Sequence, residues 1–206
     1  MPLLPRRPRD RGPFLSDPLP LVFVSVGTDF HPFDRVSHWI DGWLEAGGSA
    51  AARCFVQTGT SAVPRLAEHG QYLGHAEMEE MMRAADVVVC HGGPGTIMLA
   101  ATLGKRPIVV PRRKRYGEHV DDHQLAFTTR IAAEGAIVLA QTEDELRACL
   151  DAALGRSAEA SLPPAGAGPA AAVAMFEQLV DDLVTRRNGT SARGVVAPRS
   201  VSRRRA

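Results

Sequence analysis

A glycine-rich turn, HGGPGT at residues 91–96, is the segment whose residue types most clearly favour ligand binding. The apolar run VVVC (87–90) leads into this turn, and the helical pattern IMLAATLG (97–104) follows it. Small residues let backbone N–H groups approach a phosphate closely, and the N-terminus of a helix favours its negative charge. The turn has neither the G-x-G-x-x-G spacing of dinucleotide-binding folds nor the G-K-[ST] ending of a P-loop. We interpret it as a phosphate cradle, although a tight strand–helix connection without a ligand fits the same pattern.

A polar segment, RRKRYGEHVDDHQ at residues 112–124, follows the apolar run PIVVP (107–111) and enters the helical pattern LAFTTRIAAEG. His119 and His123 are four residues apart, so on a helix they would share one face, as metal ligands do. No third ligand follows at a recognisable spacing, and we predict no metal site and no bound cofactor. Hydrogen bonding of sugar and ribose hydroxyls by Glu118, His123 and Gln124 is the favoured interpretation, and a solvated helix cap is the alternative.

Two further loops, in VGTDFHPFDR (26–35) and QTGTS (57–61), lie after runs that have the length of a strand. Both could contact a diphosphate or an acceptor molecule. An ordinary turn between a strand and a helix fits each of them equally well.

Short apolar runs that alternate with helical patterns must position these loops. Continuous runs such as LVFV and VVVC are typical of strands that are buried on both faces of a parallel sheet. The alternation predicts an α/β fold, with a Rossmann-like parallel sheet flanked by helices and ligands at the carboxyl ends of the strands. A strand is also predicted at QYLG (71–74), a helix at Pro32, and a helix with a capping box at TEDE (142–145).

Composition divides the chain into five parts. Residues 1–19 are rich in Pro and Arg and are predicted to be a disordered tail, and residues 20–154 form the Rossmann-like domain. Residues 155–172 are an Ala/Pro/Gly linker, residues 173–187 a C-terminal helix, and residues 188–206 a disordered basic tail. The apolar stripe of the C-terminal helix makes it a candidate for docking onto another chain.

Charge and cysteine content narrow the class of protein. The net charge is +1, but residues 20–185 contain 13 basic and 21 acidic residues, which argues against nucleic acid as the main ligand. The Arg-rich termini are either solubilising tails or segments that approach anionic lipid. We recognise neither a secretory signal nor an apolar run of membrane-spanning length. The three cysteines are an odd number with no close pairing, as expected for a protein in a reducing cytoplasm. The sequence therefore predicts a cytoplasmic protein.

Four segments, in this order along the chain, resemble the C-terminal, donor-binding domain of family 28 glycosyltransferases: VGTDFHPFDR, VQTGTS, MMRAADVVVCHGGPGTI and GKRPIVVPRRKRYGEHVDDHQ. The resemblance covers about residues 21–150. It is greatest to the small separate form found in bacterial exopolysaccharide synthesis and in the second step of eukaryotic N-glycan assembly. It implies one half of a GT-B enzyme, a UDP-sugar donor, and transfer of a hexose-type sugar to a lipid-linked acceptor at the inner face of a membrane.

The resemblance also implies which residues bind the donor. Residues 93–96 would hold the diphosphate, and residues 118–124 would reach the sugar and neighbouring hydroxyls. The predicted donor-binding residues are Gly27, Thr28, Gln57, Gly59, Thr60, His91, Gly92, Gly93, Pro94, Gly95, Thr96, Glu118, His119, His123 and Gln124.

A second chain is implied as well. In the separate form, the other GT-B half is a membrane-anchored partner that carries the acceptor site, so we expect a hetero-oligomer with a peripheral location at the membrane. The general base is expected in that partner, and His31 is the local candidate.

Two positions depart from the pattern of the family. Leu99 stands where many relatives carry a Glu that binds the ribose, and Asp29 stands where many carry a His. Leu99 favours one alternative, a non-catalytic nucleotide-binding or regulatory subunit that stabilises a glycosyltransferase partner. A self-sufficient sugar-nucleotide enzyme, such as an epimerase or a hydrolase, is a third interpretation, and the length of the chain counts against it.

Overall fold

A computed structural model describes residues 19–156, and six strands in this region form one parallel sheet. The strands are β1 (Leu21–Ser25), β2 (Arg53–Gln57), β3 (Glu68–Gly70), β4 (Val87–His91), β5 (Ile108–Val110) and β6 (Val138–Leu139). Their spatial order is β3-β2-β1-β4-β5-β6, and every neighbouring pair is parallel. The predicted class, a Rossmann-like parallel sheet flanked by helices, is confirmed.

The strand order reverses beside β1, at the centre of the sheet. The first three strands extend the sheet in one direction, and β4 then joins the other side of β1. Val24 consequently pairs with both Val56 of β2 and Val89 of β4. In open α/β sheets, ligands bind outside the carboxyl ends of the strands at such a reversal. The loops that follow β1 and β4 border this position.

Five helices cover the two faces of the sheet: α1 (Asp34–Glu45), α2 (His75–Ala84), α3 (Pro94–Thr102), α4 (His123–Ala133) and α5 (Glu143–Ala153). α1 begins two residues after Pro32, and Phe33 occupies its N-cap position. The capping box predicted for α5 is confirmed. The Thr142 hydroxyl accepts a hydrogen bond from the N–H of Glu145, and the Glu145 carboxylate accepts one from the N–H of Thr142, both at 3.2 Å.

Alternation along β1 explains how one strand supports two layers of helices. Successive side chains of a strand point to opposite faces of the sheet. Val22 and Val24 belong to the core under α1 and α5, whereas Leu21 and Phe23 belong to the core under α2 and α3. All five residues of β1 are buried, as its continuous apolar run predicts.

The third strand differs from the prediction. β3 covers Glu68–Gly70 rather than residues 71–74, and Leu73 packs against the core that contains Phe23. β3 lies at the edge of the sheet and pairs only with β2. An exposed edge strand needs no apolar run. The prediction followed the apolar residues of QYLG and therefore put the strand at the wrong position.

The predicted tails, most of the linker and the C-terminal helix (173–187) lie outside the described residues, so these boundaries stay predictions. Within residues 19–156, no helix has both the length and the apolar character that a membrane span requires. In the same region Cys54, Cys90 and Cys149 are free thiols.

Candidate functional site

The turn between β4 and α3 presents free backbone N–H groups at the carboxyl edge of the sheet. Gly93 is the N-cap of α3, and Pro94, which has no N–H group, is its first residue. The N–H of Ile97 makes the first hydrogen bond of the helix, to the carbonyl of Gly93 at 3.2 Å. Among the described residues, no group accepts a hydrogen bond from the N–H of Gly95 or Thr96. These two donors, at the positive end of the helix dipole, can bind an anion.

The imidazole of His91 occupies the space between two glycines. A Cβ atom at Gly93 would lie 2.2 Å from Nε2 of His91, and one at Gly27 would lie 2.6 Å from its Cε1. Gly27 also has a φ of 87°, which side chains rarely allow. Burial, with a smaller contribution from the nearby charge of Arg112, lowers the pKa of His91 to about 4. His91 is therefore a neutral ring that separates two loops. One is the loop between β1 and α1 (residues 26–33), here called the first loop, and the other is the glycine turn.

The glycine turn also packs on the beginning of α4. A Cβ atom at Gly92 would lie 2.9 Å from Cγ2 of Thr128 and 3.0 Å from Cβ of Gln124. The close approach places the N-terminus of α4 beside that of α3. Residues from the segment 112–124 can therefore act on a ligand that is held by the glycine turn.

Arg112, two residues after the end of β5, is completely buried and bonds to loops at the carboxyl edge of the sheet. Its guanidinium donates hydrogen bonds to the carbonyls of Val26 at 2.8 Å, His31 at 2.6 Å and Glu118 at 3.0 Å. Its backbone N–H donates to the side-chain oxygen of Gln124 at 3.2 Å. Burial lowers the pKa of Arg112, and the charges of Asp29 and Glu118 oppose that effect. Since its bonds reach both the first loop and the segment before α4, Arg112 fixes their relative position.

Glu118 is paired with a second arginine inside the protein. Nε and Nη2 of Arg35 lie 2.8 Å and 2.9 Å from the two oxygens of Glu118, and both side chains are at least 87% buried. The same carboxylate accepts a hydrogen bond from the N–H of Arg113 at 2.8 Å. Arg35 further donates to the carbonyl of Pro111 at 3.0 Å. This pair joins α1 to the loop after β5.

Residues of the loop after β2 support the first loop from the other side. The buried side chain of Gln57 accepts a hydrogen bond from the Ser25 hydroxyl at 2.7 Å and donates one to the carbonyl of Gly27 at 3.1 Å. A Cβ atom at Gly59 would lie 2.6 Å from that carbonyl oxygen, and Gly59 has a φ of 55°. The hydroxyl of Thr60 donates to the carbonyl of Asp29 at 3.1 Å. These residues therefore shape the first loop.

Alternating His and Asp side chains cross from the first loop to the start of α4. Asp29 accepts a hydrogen bond from the N–H of His31 at 2.8 Å and lies 2.6 Å from its Nδ1. The other oxygen of Asp29 is 3.8 Å from Nε2 of His119, and Asp121 pairs with both His119 and His123. Burial alone would raise the pKa of Asp29, but the hydrogen bonds from His31 and the charges of Arg112 and His31 together outweigh burial and lower it. Asp29 is therefore an ionised partner that orients His31.

The predicted donor-binding residues lie at or after the carboxyl ends of β1, β2, β4 and β5, but they differ in exposure. Thr28, Thr60, Pro94, Gly95 and His123 are exposed. Gln57, Glu118 and Gln124 are buried, and their side-chain oxygens are bonded to protein groups. Contact between any of these residues and a donor stays a prediction.

Two local expectations need correction or addition. His119 and His123 do not share a helix face, because α4 begins at His123 and His119 lies in the preceding loop. Sequence reasoning missed Arg112, although an arginine directly after the apolar run PIVVP is a signal that could have identified it. Leu99, in place of the ribose-binding acid, is half-buried and packs against the core that contains Phe23.

Comparisons with known proteins agree with this fold. The family described as glycosyltransferase family 28 C-terminal domain matches residues 22–172. Among curated proteins, no sequence matches the chain significantly.

The chain is similar to the crystal structure of CalG4, the calicheamicin glycosyltransferase, with a TM-score of 0.50 and 12% identity over 82% of this chain and 43% of that one. It is also similar to the glycotransferase of kitacinnamycin, with a TM-score of 0.51 and 18% identity over 87% of this chain and 46% of that one. The chain thus spans less than half the length of these structures, and at such identities the likeness establishes the fold.

Proposed function

The chain belongs to the family of glycosyltransferase family 28 C-terminal domains, and we propose that it is the donor-binding part of a GT-B enzyme that uses a UDP-sugar. Family membership supports sugar transfer in general. The observation that carries the proposal is the pair of free N–H groups of Gly95 and Thr96, beside the reversal of strand order. A diphosphate suits this position because the helix dipole stabilises its charge.

The proposed reaction moves a hexose-type sugar from a UDP-sugar to a hydroxyl group of a lipid-linked acceptor. The acceptor oxygen bonds to the anomeric carbon as the bond between that carbon and the diphosphate breaks. The proton of the acceptor passes to a general base, and UDP leaves. Negative charge grows on the diphosphate during this step, so donors at the start of α3 lower the barrier by stabilising it. Because His91 is neutral, this role falls to the backbone N–H groups of Gly95 and Thr96.

His31 is the candidate base on this chain, and a base in the partner is the alternative. The contact of 2.6 Å between its Nδ1 and Asp29 leaves Nε2 for the acceptor hydroxyl. A carboxylate that orients the imidazole also stabilises its protonated form. If His31→Ala kept full turnover in the assembled enzyme, His31 would not be the base.

The acceptor site and the membrane association belong, in this proposal, to a membrane-anchored partner chain. The chain covers 43% and 46% of the two glycosyltransferase structures that it matches, which supports the assignment of one half of such an enzyme. We propose exopolysaccharide or other cell-envelope glycan synthesis as the process and the inner face of the membrane as the place. The assay mixes the chain with labelled UDP-hexose and a membrane fraction from the source cells. We expect transfer of the label to lipid only when both the chain and the membranes are present.

Leu99 supports one other function, a nucleotide-binding subunit that stabilises its partner without taking part in transfer. Its side chain packs against apolar residues of the core, so it provides no carboxylate for the ribose hydroxyls. Weak binding with no preference for UDP would favour this second function.

Calorimetric titration of the full chain with UDP tests the donor proposal, and ADP is the control ligand. We expect a micromolar Kd for UDP and binding of ADP that is at least about tenfold weaker. A site that selects a UDP-sugar must distinguish the nucleobase uracil from adenine. Equal affinity for the two nucleotides, or no heat with UDP, would contradict the proposal.

A further inference from the structure

Arg112 is a cation inside the protein that forms no ion pair with any carboxylate of the described residues. Its side chain is completely buried. Nη1 and Nη2 donate only to carbonyl oxygens, and the buried Nε has no hydrogen-bond partner in the described part of the chain. An arginine keeps its positive charge in a protein, and burial of a charge without an ionic partner is costly. A charge held at such a cost is a candidate for a role in function.

The position of this charge connects it to both loops that border the proposed diphosphate site. Nη2 of Arg112 donates to the carbonyl of Val26 at 2.8 Å, and Gly27 follows Val26 in the first loop. The ring of His91 fills the space between Gly27 and Gly93, the N-cap of α3. Along this path, one peptide group and one imidazole ring separate the guanidinium from the turn that begins α3.

We propose that the positive charge of Arg112 strengthens binding of the donor diphosphate without touching it. The proposal rests on the proposed donor site at Gly95 and Thr96. It goes beyond the hydrogen bonds by which Arg112 fixes the loops, because it assigns a role to the charge itself. A fixed cation attracts the bound diphosphate and stabilises the negative charge that grows on the leaving UDP. Arg112 is in this sense a positioning residue and not a catalytic one.

The first loop provides a route for part of this effect, since hydrogen bonds in a chain polarise one another. The carbonyl of Val26 accepts from Arg112, and in this trans peptide the N–H of Gly27 points the opposite way. Within residues 19–156, no group accepts a hydrogen bond from that N–H. The guanidinium therefore makes the N–H of Gly27 a stronger donor for an anion.

Two ionisable neighbours show that the field of Arg112 extends to both loops. Burial raises the pKa of Asp29, but the hydrogen bonds from His31 and the charges of Arg112 and His31 outweigh that effect. Burial, followed by the charge of Arg112, lowers the pKa of His91 to about 4. Asp29 belongs to the first loop and His91 to the glycine turn. A diphosphate at the start of α3 would lie in the same field.

The test measures how affinity depends on the charge of the ligand, by titration of the full chain with uridine, UMP and UDP. These ligands share a nucleoside and differ in the number of phosphates. A single charge about 10 Å from a doubly charged group, partly screened by water, changes affinity by about 5- to 20-fold. In Arg112→Met, the ratio of UDP affinity to uridine affinity should fall by this factor, with UMP between them. Loss of the hydrogen bonds alone would weaken all three ligands equally.

Two variants separate charge from structure. Arg112→Lys keeps the charge, so its ratio of UDP affinity to uridine affinity should stay within about threefold of that of the unmodified chain. Arg115→Met is the matched control, because it removes an exposed cation from the same segment. Its ratio should change less than about twofold, since salt and water screen exposed charges.

A salt series on the unmodified chain needs no substitution. Raising NaCl from about 0.05 M to about 0.5 M should lower the ratio less than about threefold, because buried charges are screened much less than exposed ones. A fall of about tenfold or more would assign the attraction to exposed cations and overturn the proposal. This series decides the question if circular dichroism shows that Arg112→Met does not fold.

Two other results would overturn the proposal: an unchanged ratio in Arg112→Met, or an equal fall in Arg112→Met and Arg115→Met. In each of these results the unmodified chain binds UDP, so the donor site would stand. Absence of UDP binding by the unmodified chain would instead remove the donor site, and this inference with it.

Discussion

Gly95→Asp should weaken UDP binding by about 30- to 150-fold while leaving the free energy of unfolding almost unchanged. The new carboxylate would lie beside the two N–H groups proposed to hold the diphosphate. Repulsion between one charge and a doubly charged group about 5 Å away, in a well-solvated site, costs roughly 2–3 kcal/mol. That cost corresponds to the stated loss of affinity.

The fold should tolerate this substitution for two reasons. A Cβ atom at Gly95 meets no other atom within 4 Å, so the side chain has room. An acidic residue in the first turn of a helix also stabilises that helix by about 0.3–1 kcal/mol. Calorimetry with UDP and urea denaturation would separate the effect on binding from the effect on stability.

Thr102→Asp is the matched control for charge. It adds the same charge to the same helix at the opposite, exposed end, where no diphosphate is expected. UDP affinity should stay within about twofold of the unmodified chain, because exposed charges separated by more than about 10 Å are largely screened at 0.1 M salt. An equal loss in the two variants would mean that total charge, rather than position at α3, determines the affinity.

Glu118→Ala should destabilise the protein by about 3–5 kcal/mol. Removal of one partner from a buried ion pair leaves an uncompensated charge inside the protein. Here the remaining charge is Arg35, whose Nε loses its acceptor and whose Nη2 keeps only the carbonyl of Pro111. The N–H of Arg113 loses its acceptor as well. The midpoint of urea denaturation, measured at unchanged slope, gives this loss directly.

Glu79→Ala provides the comparison for an ion pair in solvent. Glu79 pairs with Arg83 on the exposed surface of α2, where both side chains are substantially exposed. Such surface pairs contribute about 0–1 kcal/mol. If Glu118→Ala cost no more than Glu79→Ala, the pair between Glu118 and Arg35 would not hold the loop after β5 in place.

Local sequence patterns were sufficient for the fold and for placing the candidate residues at one edge of the sheet. The apolar run of β1, the turn at 91–96 and the capping box of α5 are all encoded by neighbouring residues. Together with the alternation of strands and helices, they predicted the parallel sheet that the structure shows, and binding of a ligand at its carboxyl edge stays a prediction. The edge strand β3 escaped prediction because its exposed residues carry no apolar pattern.

The inward orientation of Glu118 and Gln124 could not be predicted in the same way. Their partners are Arg35, 83 residues away, and the backbone of Arg112, 12 residues away. A polar segment has the same local pattern whether its side chains face solvent or a buried arginine.

The most direct test of the donor site is an NMR titration of the full, ¹⁵N-labelled chain with UDP, in which the N–H signals of Gly95 and Thr96 are followed. Our account predicts that these two signals shift more than those elsewhere in α3, saturate with the calorimetric Kd, and move far less with ADP. UDP binding that leaves both signals in place, or that shifts only signals remote from the carboxyl edge of the sheet, would contradict a diphosphate site at the start of α3.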